Sequence, residues 1–326
     1  MTGEKTVFRY LAVVIAGAVA VIMAGGIDLP ALAADCYSFE SCVKKGYASK
    51  APEERIEYNT KAIEYWRYRD GNKNKAIAYH NRGFAYGELK QYDKAIADFD
   101  KAIELNPEDV HVDYRNRGVA YRKLKQYDKA IADYDKAIEL NPKDADTYHN
   151  RGFAYDELKQ YDKAIADYNK AIELNPEYAD AYFNRGFAYD ELKQYDKAIA
   201  DYDKAIKLNP EYAYAYNNRG YTYLWLKKCD KAQTDFKKAN KLDAKDPVPY
   251  GNLGNYWWAC RKNKVTAFKW FEKSFRLGFD RWDELYDETS DGHFLKGLND
   301  TPEFKALVKK YRKGGKALVP AAKPGE

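Results

Sequence analysis

An all-α solenoid of antiparallel helix hairpins is the fold class this sequence predicts, on three observations. Glycines recur at Gly83, Gly118, Gly152, Gly186, Gly220 and Gly254, at spacings of 35, 34, 34, 34 and 34 residues; such a period marks stacked supersecondary units rather than ordinary domains. Within a unit the apolar residues fall at helical spacing, at Tyr182, Gly186 and Tyr189 and again at Ala198, Tyr202 and Ala205, which describes two short amphipathic helices. Asn209-Pro210 and its equivalents stop the second helix, because proline cannot continue the hydrogen-bond ladder. The stretch from Leu192 to Asp196 makes the turn between the helices, with Asp196 in the first turn of the second, where its charge suits the helix dipole.

The residues Tyr182, Gly186, Tyr189, Ala198, Tyr202, Ala205 and Pro210 resemble the signature of the tetratricopeptide repeat family. The resemblance implies a right-handed superhelix whose concave side is formed mainly by first helices and binds segments of partner proteins. Five repeats cover 76–109, 111–144, 145–178, 179–212 and 213–246; the fifth departs in carrying Ala244 where the proline belongs, with Pro247 after it. Degenerate hairpins are expected at 34–75, where Lys61-Ala62-Ile63 matches Lys204-Ala205-Ile206, and at 247–279, because terminal repeats have a neighbour on one side only. A helical cap is expected over 280–315, started by Thr301-Pro302 and stopped by Gly314-Gly315, and a flexible tail over 316–326.

The first 33 residues read as an export signal: Lys5 and Arg9, an uncharged apolar stretch from Leu11 to Ile27, and Ala31-Leu32-Ala33 as the cleavage site. An uncleaved inner-membrane anchor facing the periplasm is the competing reading. A lipoprotein signal is disfavoured because Asp35 precedes Cys36. Export to the periplasm or beyond permits disulfides, and the local pairing of Cys36 with Cys42 and Cys229 with Cys260 is preferred over four reduced thiols. The first pair requires the helix to begin after Cys36. The net charge of +5 is uneven, since residues 237–326 carry 19 basic against 12 acidic side chains. The lysines are dispersed, so a solvated face is preferred to an acidic or membrane contact, and no nucleic-acid partner is expected. Membrane contact follows only if the N-terminal segment is uncleaved.

Arg82, Arg117, Arg151, Arg185 and Arg219 occupy the seventh position of the repeats. In an antiparallel hairpin the seventh residue comes level with about the twenty-second to twenty-fourth, and the twenty-third is aspartate each time: Asp98, Asp133, Asp167, Asp201 and Asp235. The terminal hairpins hold Cys42 and Leu253 at the arginine position and Tyr58 and Trp270 at the aspartate position, so both charges are lost together. Structural ion pairs are therefore preferred to an anion-binding stripe.

Functional information is expected where the repeats differ. The second, fifth, ninth and twelfth positions share one helical face. The fifth holds His80, Arg115, His149, Phe183 and Asn217; the ninth holds Phe84, Val119, Phe153, Phe187 and Tyr221. This face is the candidate groove for a protein or peptide of unknown identity, with an envelope glycan or small ligand as the alternative. Asn81, Asn116, Asn150, Asn184 and Asn218 match an asparagine that some family members use to grip a peptide carboxylate. The accompanying lysines are missing, the second positions being Ile77, Val112, Asp146, Asp180 and Tyr214, so chaperone-tail recognition is discounted. No phosphate loop, metalloprotease motif, nucleophile elbow or haem attachment site is present, and no catalytic residue, cofactor or metal is assigned. Asp287, Glu288, Asp291 and His293 cluster in sequence, but a polar connection accounts for them equally.

Overall fold

The computed structural model describes residues 36–67, 71–107, 110–281, 285 and 291–312, all of them helix, turn or connection without a strand. The expected export signal, the glycine stop and the tail lie outside these residues. α1 (Phe39–Ala48) and α2 (Pro52–Tyr65) form the first hairpin. The five central hairpins are α3 (Asn72–Glu88) with α4 (Tyr92–Leu105), α5 (His111–Lys123) with α6 (Tyr127–Leu140), α7 (Ala145–Glu157) with α8 (Tyr161–Leu174), α9 (Ala179–Glu191) with α10 (Tyr195–Leu208), and α11 (Ala213–Trp225) with α12 (Cys229–Leu242). α13 (Val248–Ala259) and α14 (Lys264–Arg276) make a further hairpin, followed by the short α15 (Asp291–Phe294) and by α16 (Pro302–Arg312). Each helix packs on its hairpin partner and on the next hairpin, so the core runs along the stack.

The packing within a hairpin explains the repeated letters. Ala164 and Ala171 are fully buried, as are the equivalent alanines of the neighbouring repeats, and Gly152 lets α7 approach α8 closely: a Cβ there would lie 2.8 Å from Cε1 of the buried Tyr168. α7 ends at a left-handed residue, Lys159 (φ 57°), and Gln160 N–H donates back to the Tyr155 carbonyl. The same turn recurs at Lys90, Lys125, Lys193 and Lys227. Asparagine caps the second helix, as Asn175 N–H donates to the Ala171 carbonyl and its side chain accepts from Glu177 N–H.

Two disulfides staple the ends of the stack. Cys36 and Cys42 are bonded with Cα atoms 4.9 Å apart, Cys36 lying before the start of α1, and Cys229 is bonded to Cys260 across 31 residues. At the C-terminal end α14, α16 and the segment between them bury Phe271, Phe275, Leu295, Leu298 and Phe304 together. The Thr301 hydroxyl accepts from Phe304 N–H and caps α16. Among the described residues no helix is long and apolar enough to cross a membrane.

Candidate functional site

The arginine row is built into the solenoid. In every central repeat Nε and Nη2 of the seventh residue donate to both carboxylate oxygens of the twenty-third at 2.6–2.8 Å: Arg82 to Asp98, Arg117 to Asp133, Arg151 to Asp167, Arg185 to Asp201 and Arg219 to Asp235. The remaining Nη1 reaches back into the preceding hairpin, to the Thr60 hydroxyl, Asp100, Asp135, the Asn169 side-chain carbonyl and Asp203 in turn. Each guanidinium thus closes its own hairpin and laces it to the one before. The bond to Asp133 raises the Arg117 guanidinium further above its ordinary range, so the cation stays charged.

The register of the first hairpin needs correction. α1 has 10 residues against 13 in α7, α9 and α11, and its close-approach glycine is Gly46, facing Asn59 and Tyr58. The residue at the arginine position is therefore Lys45, not Cys42, and its ammonium lies 5.7 Å from the Tyr58 ring centre. The cation is kept there and only the carboxylate is replaced. In the C-terminal hairpin both charges are absent, with Leu253 buried beside the Phe271 contact of Gly254.

The fifth-position residues do not form the open groove expected of them; they pack into the joints between repeats. His80 Nδ1 lies 2.7 Å from Asp113 Oδ1 and Arg115 Nη1 donates to Asp144 Oδ2 at 2.7 Å. His149 is 8% exposed: Asn184 Nδ2 donates to its Nε2 at 2.9 Å, leaving the ring proton on Nδ1, 3.3 Å from the Tyr178 hydroxyl. Burial lowers this imidazole to about 4, so it is neutral at neutral pH. Phe183 packs on Tyr212 with ring centres 5.0 Å apart, and Asn217 accepts from Asn252 Nδ2 at 2.9 Å. The asparagine that resembles a carboxylate clamp is spent internally in at least Asn184.

The ninth-position residues do line a cleft. Phe84, Val119, Phe153 and Phe187 run along the first helices of repeats one to four and face a cavity of about 930 Å³. Phe84 is 45% exposed, whereas Phe153 is 3% exposed and sits beneath Arg122, whose guanidinium carbon is 4.4 Å from its ring centre. Arg122, Lys123 and Lys125 bring positive charge to the second repeat's part of the wall, while Asp156, Glu157 and Glu191 bring negative charge from the third and fourth. One rim is fixed by a ladder between repeats: Tyr127 hydroxyl donates to Glu157 and Tyr161 hydroxyl to Glu191, at 3.1 and 3.0 Å. Sequence reasoning missed Arg122, although it sits at the variable twelfth position that shares the face.

The groove is closed at repeat five by the chain itself. Phe294 of α15 packs edge-on against the ninth-position Tyr221 (5.5 Å) and against Trp225 (4.8 Å), and His293 stacks on Trp225 at 4.5 Å. Tyr221, expected in an open groove, is therefore covered. The Cys229–Cys260 bond ties the fifth repeat to the next hairpin, Cys229 standing at the position that Tyr127 and Tyr161 hold in earlier repeats. Of the acidic cluster read from the sequence, Asp287 and Glu288 lie outside the described residues and His293 belongs to the Trp225 stack.

Tetratricopeptide repeat families match residues 76–109, 179–212 and 201–234, and a TPR repeat family matches 118–159 and 157–193. No curated protein sequence matches the chain. Among solved structures, MamA is 30% identical over 50% of this chain and 95% of its own, with a TM-score of 0.46. YrrB, a TPR protein described as having an unusual peptide-binding site, is 26% identical over 60% of this chain and 96% of its own, with a TM-score of 0.48. A tetratricopeptide repeat protein from Parabacteroides merdae ATCC 43184 is 20% identical over 79% of this chain and 97% of its own, with a TM-score of 0.59, and shares the fold. With its stacked hairpins and matched repeats, the chain is a tetratricopeptide repeat protein.

Proposed function

We propose that the chain is an exported, non-catalytic scaffold that holds a segment of a partner protein in the groove of repeats one to four. The observation that carries this reading is the cleft: a continuous wall from four successive repeats, with phenylalanines along its length and charges of both signs around them. An apolar row with convergent polar groups suits a peptide, which offers alternating side chains to successive repeats. A glycan remains the alternative ligand for the same aromatic wall, and the test separates the two.

Export is supported by the basic start, the apolar stretch and Ala31-Leu32-Ala33, and by the placing of all four cysteines within bonding reach of one another in pairs. Mass measurement of the mature protein checks it: cleavage after Ala33 gives a chain beginning at Ala34, and retention of Met1 supports the anchored form.

Partner capture by crosslinking in intact cells, compared between the native chain and Phe84→Ala with Phe187→Ala, tests the groove. These two are preferred to Phe153→Ala, because Phe153 is buried and its loss would damage the fold. Loss of a specific protein partner is the expected result. Unchanged protein recovery removes the groove reading, and a glycan-array signal lost in the same variant without any protein partner moves the assignment to carbohydrate.

A further inference from the structure

We propose that the open cleft selects a peptide segment in which an acidic residue precedes an aromatic one by about one helical turn. Its aromatic ring enters on the apolar row to which Phe84 and Phe187 belong and its carboxylate meets Arg122. This rests on the groove reading above and names the chemistry of the occupant.

Two independent observations lead to it. The first is the segment already seated on the ninth position of the fifth repeat. At repeat five, Phe294 packs on the ninth-position Tyr221 and on Trp225, and is itself only 8% exposed. An aromatic side chain from a short helical turn is thus the object that this row of positions accepts within the molecule. The same ninth position is held by Phe187, Phe153, Val119 and Phe84 in the preceding repeats, and these four line the cleft. The occupant of the open part therefore shares the aromatic anchor of the closed part.

The second is Arg122. It is 6% exposed, lines the cleft, and its Nε has no hydrogen-bond acceptor. A buried guanidinium with an unused donor is costly, and a carboxylate is the group whose geometry it matches. Lys123 and Lys125 put further positive charge on the second repeat's part of the wall, whereas Asp156, Glu157 and Glu191 belong to the third and fourth repeats. At repeat five the residue equivalent to Arg122 is Leu224, buried in the same apolar cluster as Phe294. The change from leucine to arginine is what adds an acid requirement to an aromatic one.

The sequence around Phe294 supplies a defined probe. Residues 290–298 read SDGHFLKGL, with an aspartate three residues before the phenylalanine. A fluorescein-labelled peptide of that sequence, titrated into the full chain, should bind. Its phenylalanine-to-alanine version should bind at least about tenfold more weakly, and its aspartate-to-lysine version about tenfold or more weakly as well. Arg122→Glu should weaken the parent peptide and restore the lysine version, a charge exchange that misfolding of the variant cannot produce. Equal binding of all three peptides, or lysine-peptide binding indifferent to Arg122→Glu, overturns the proposal. If no peptide binds while Phe84→Ala with Phe187→Ala still abolishes partner capture, the motif is wrong and the scaffold reading stands. Self-association of the native chain that Phe294→Ala abolishes would make the occupant a second copy, and the partner assignment would fall.

Discussion

Two rows on the same first helices behave in opposite ways in sequence and alike in structure. The seventh position is arginine in all five central repeats, whereas the fifth is His80, Arg115, His149, Phe183 and Asn217. Both rows are contacts between repeats. The arginines meet the same pair of acceptor positions each time, one behind and one in the same hairpin. The fifth-position residues meet partners that change with them: histidine and asparagine, arginine and aspartate, phenylalanine and tyrosine, asparagine and asparagine. Variation along a solenoid therefore marks a binding surface only where the varying side chain has no matched partner in the next unit.

The largest effect should come from the invariant row. Asp167→Ala leaves Arg151 without its bidentate carboxylate and should cost about 3 kcal/mol or more, read as a lower melting temperature; an unchanged value would make the pair dispensable. The variable row should be smaller and tunable. Arg115→Ala removes the bond to Asp144 and should cost about 1–2 kcal/mol in denaturant unfolding. His149→Phe, which writes the Phe183 solution into the previous repeat, should act through pH. The folded imidazole is lowered to about 4 from 6.5 in the free residue, so the unfolded chain binds the proton more readily. Stability tied to His149 is complete above about pH 6.5 and is lost as the pH falls toward about 4, by roughly 1–3 kcal/mol. The variant should lose less stability than the native protein over that window, and equal slopes would show that the site is not a neutral histidine. The smallest effect belongs to the outer half of the arginine contact. Asp135→Ala removes an acceptor that is itself 53% exposed and should cost under about 1 kcal/mol.

Much of this architecture was legible in the sequence because hairpin arithmetic is local. The glycine period gave the stack, and the equal rise of two helices was enough to set Arg185 beside Asp201. The same arithmetic misplaced the first hairpin, where α1 is shorter and Lys45 rather than Cys42 takes the arginine position. Burial of His149, Phe183 and Asn217 was not legible, because it depends on how tightly one repeat leans on the next, which no spacing within a repeat encodes. The backward reach of Arg151 to Asp135 was hidden for the same reason. The docking of Phe294 on Tyr221 and Trp225 follows a stretch in which the period is lost, so nothing in the repeat pattern pointed to it.

The bond between Cys229 and Cys260 changes how the stack would answer a mechanical load. It loops off the 31-residue path between them, and a chain extends by about 3.3–3.6 Å per residue. Pulled by its ends in a force spectrometer, the oxidised protein should keep roughly 100 Å of contour length in reserve, and a reductant should release it in one step. The last repeat and its cap would then yield as separate units, where the intact bond makes them give way as one.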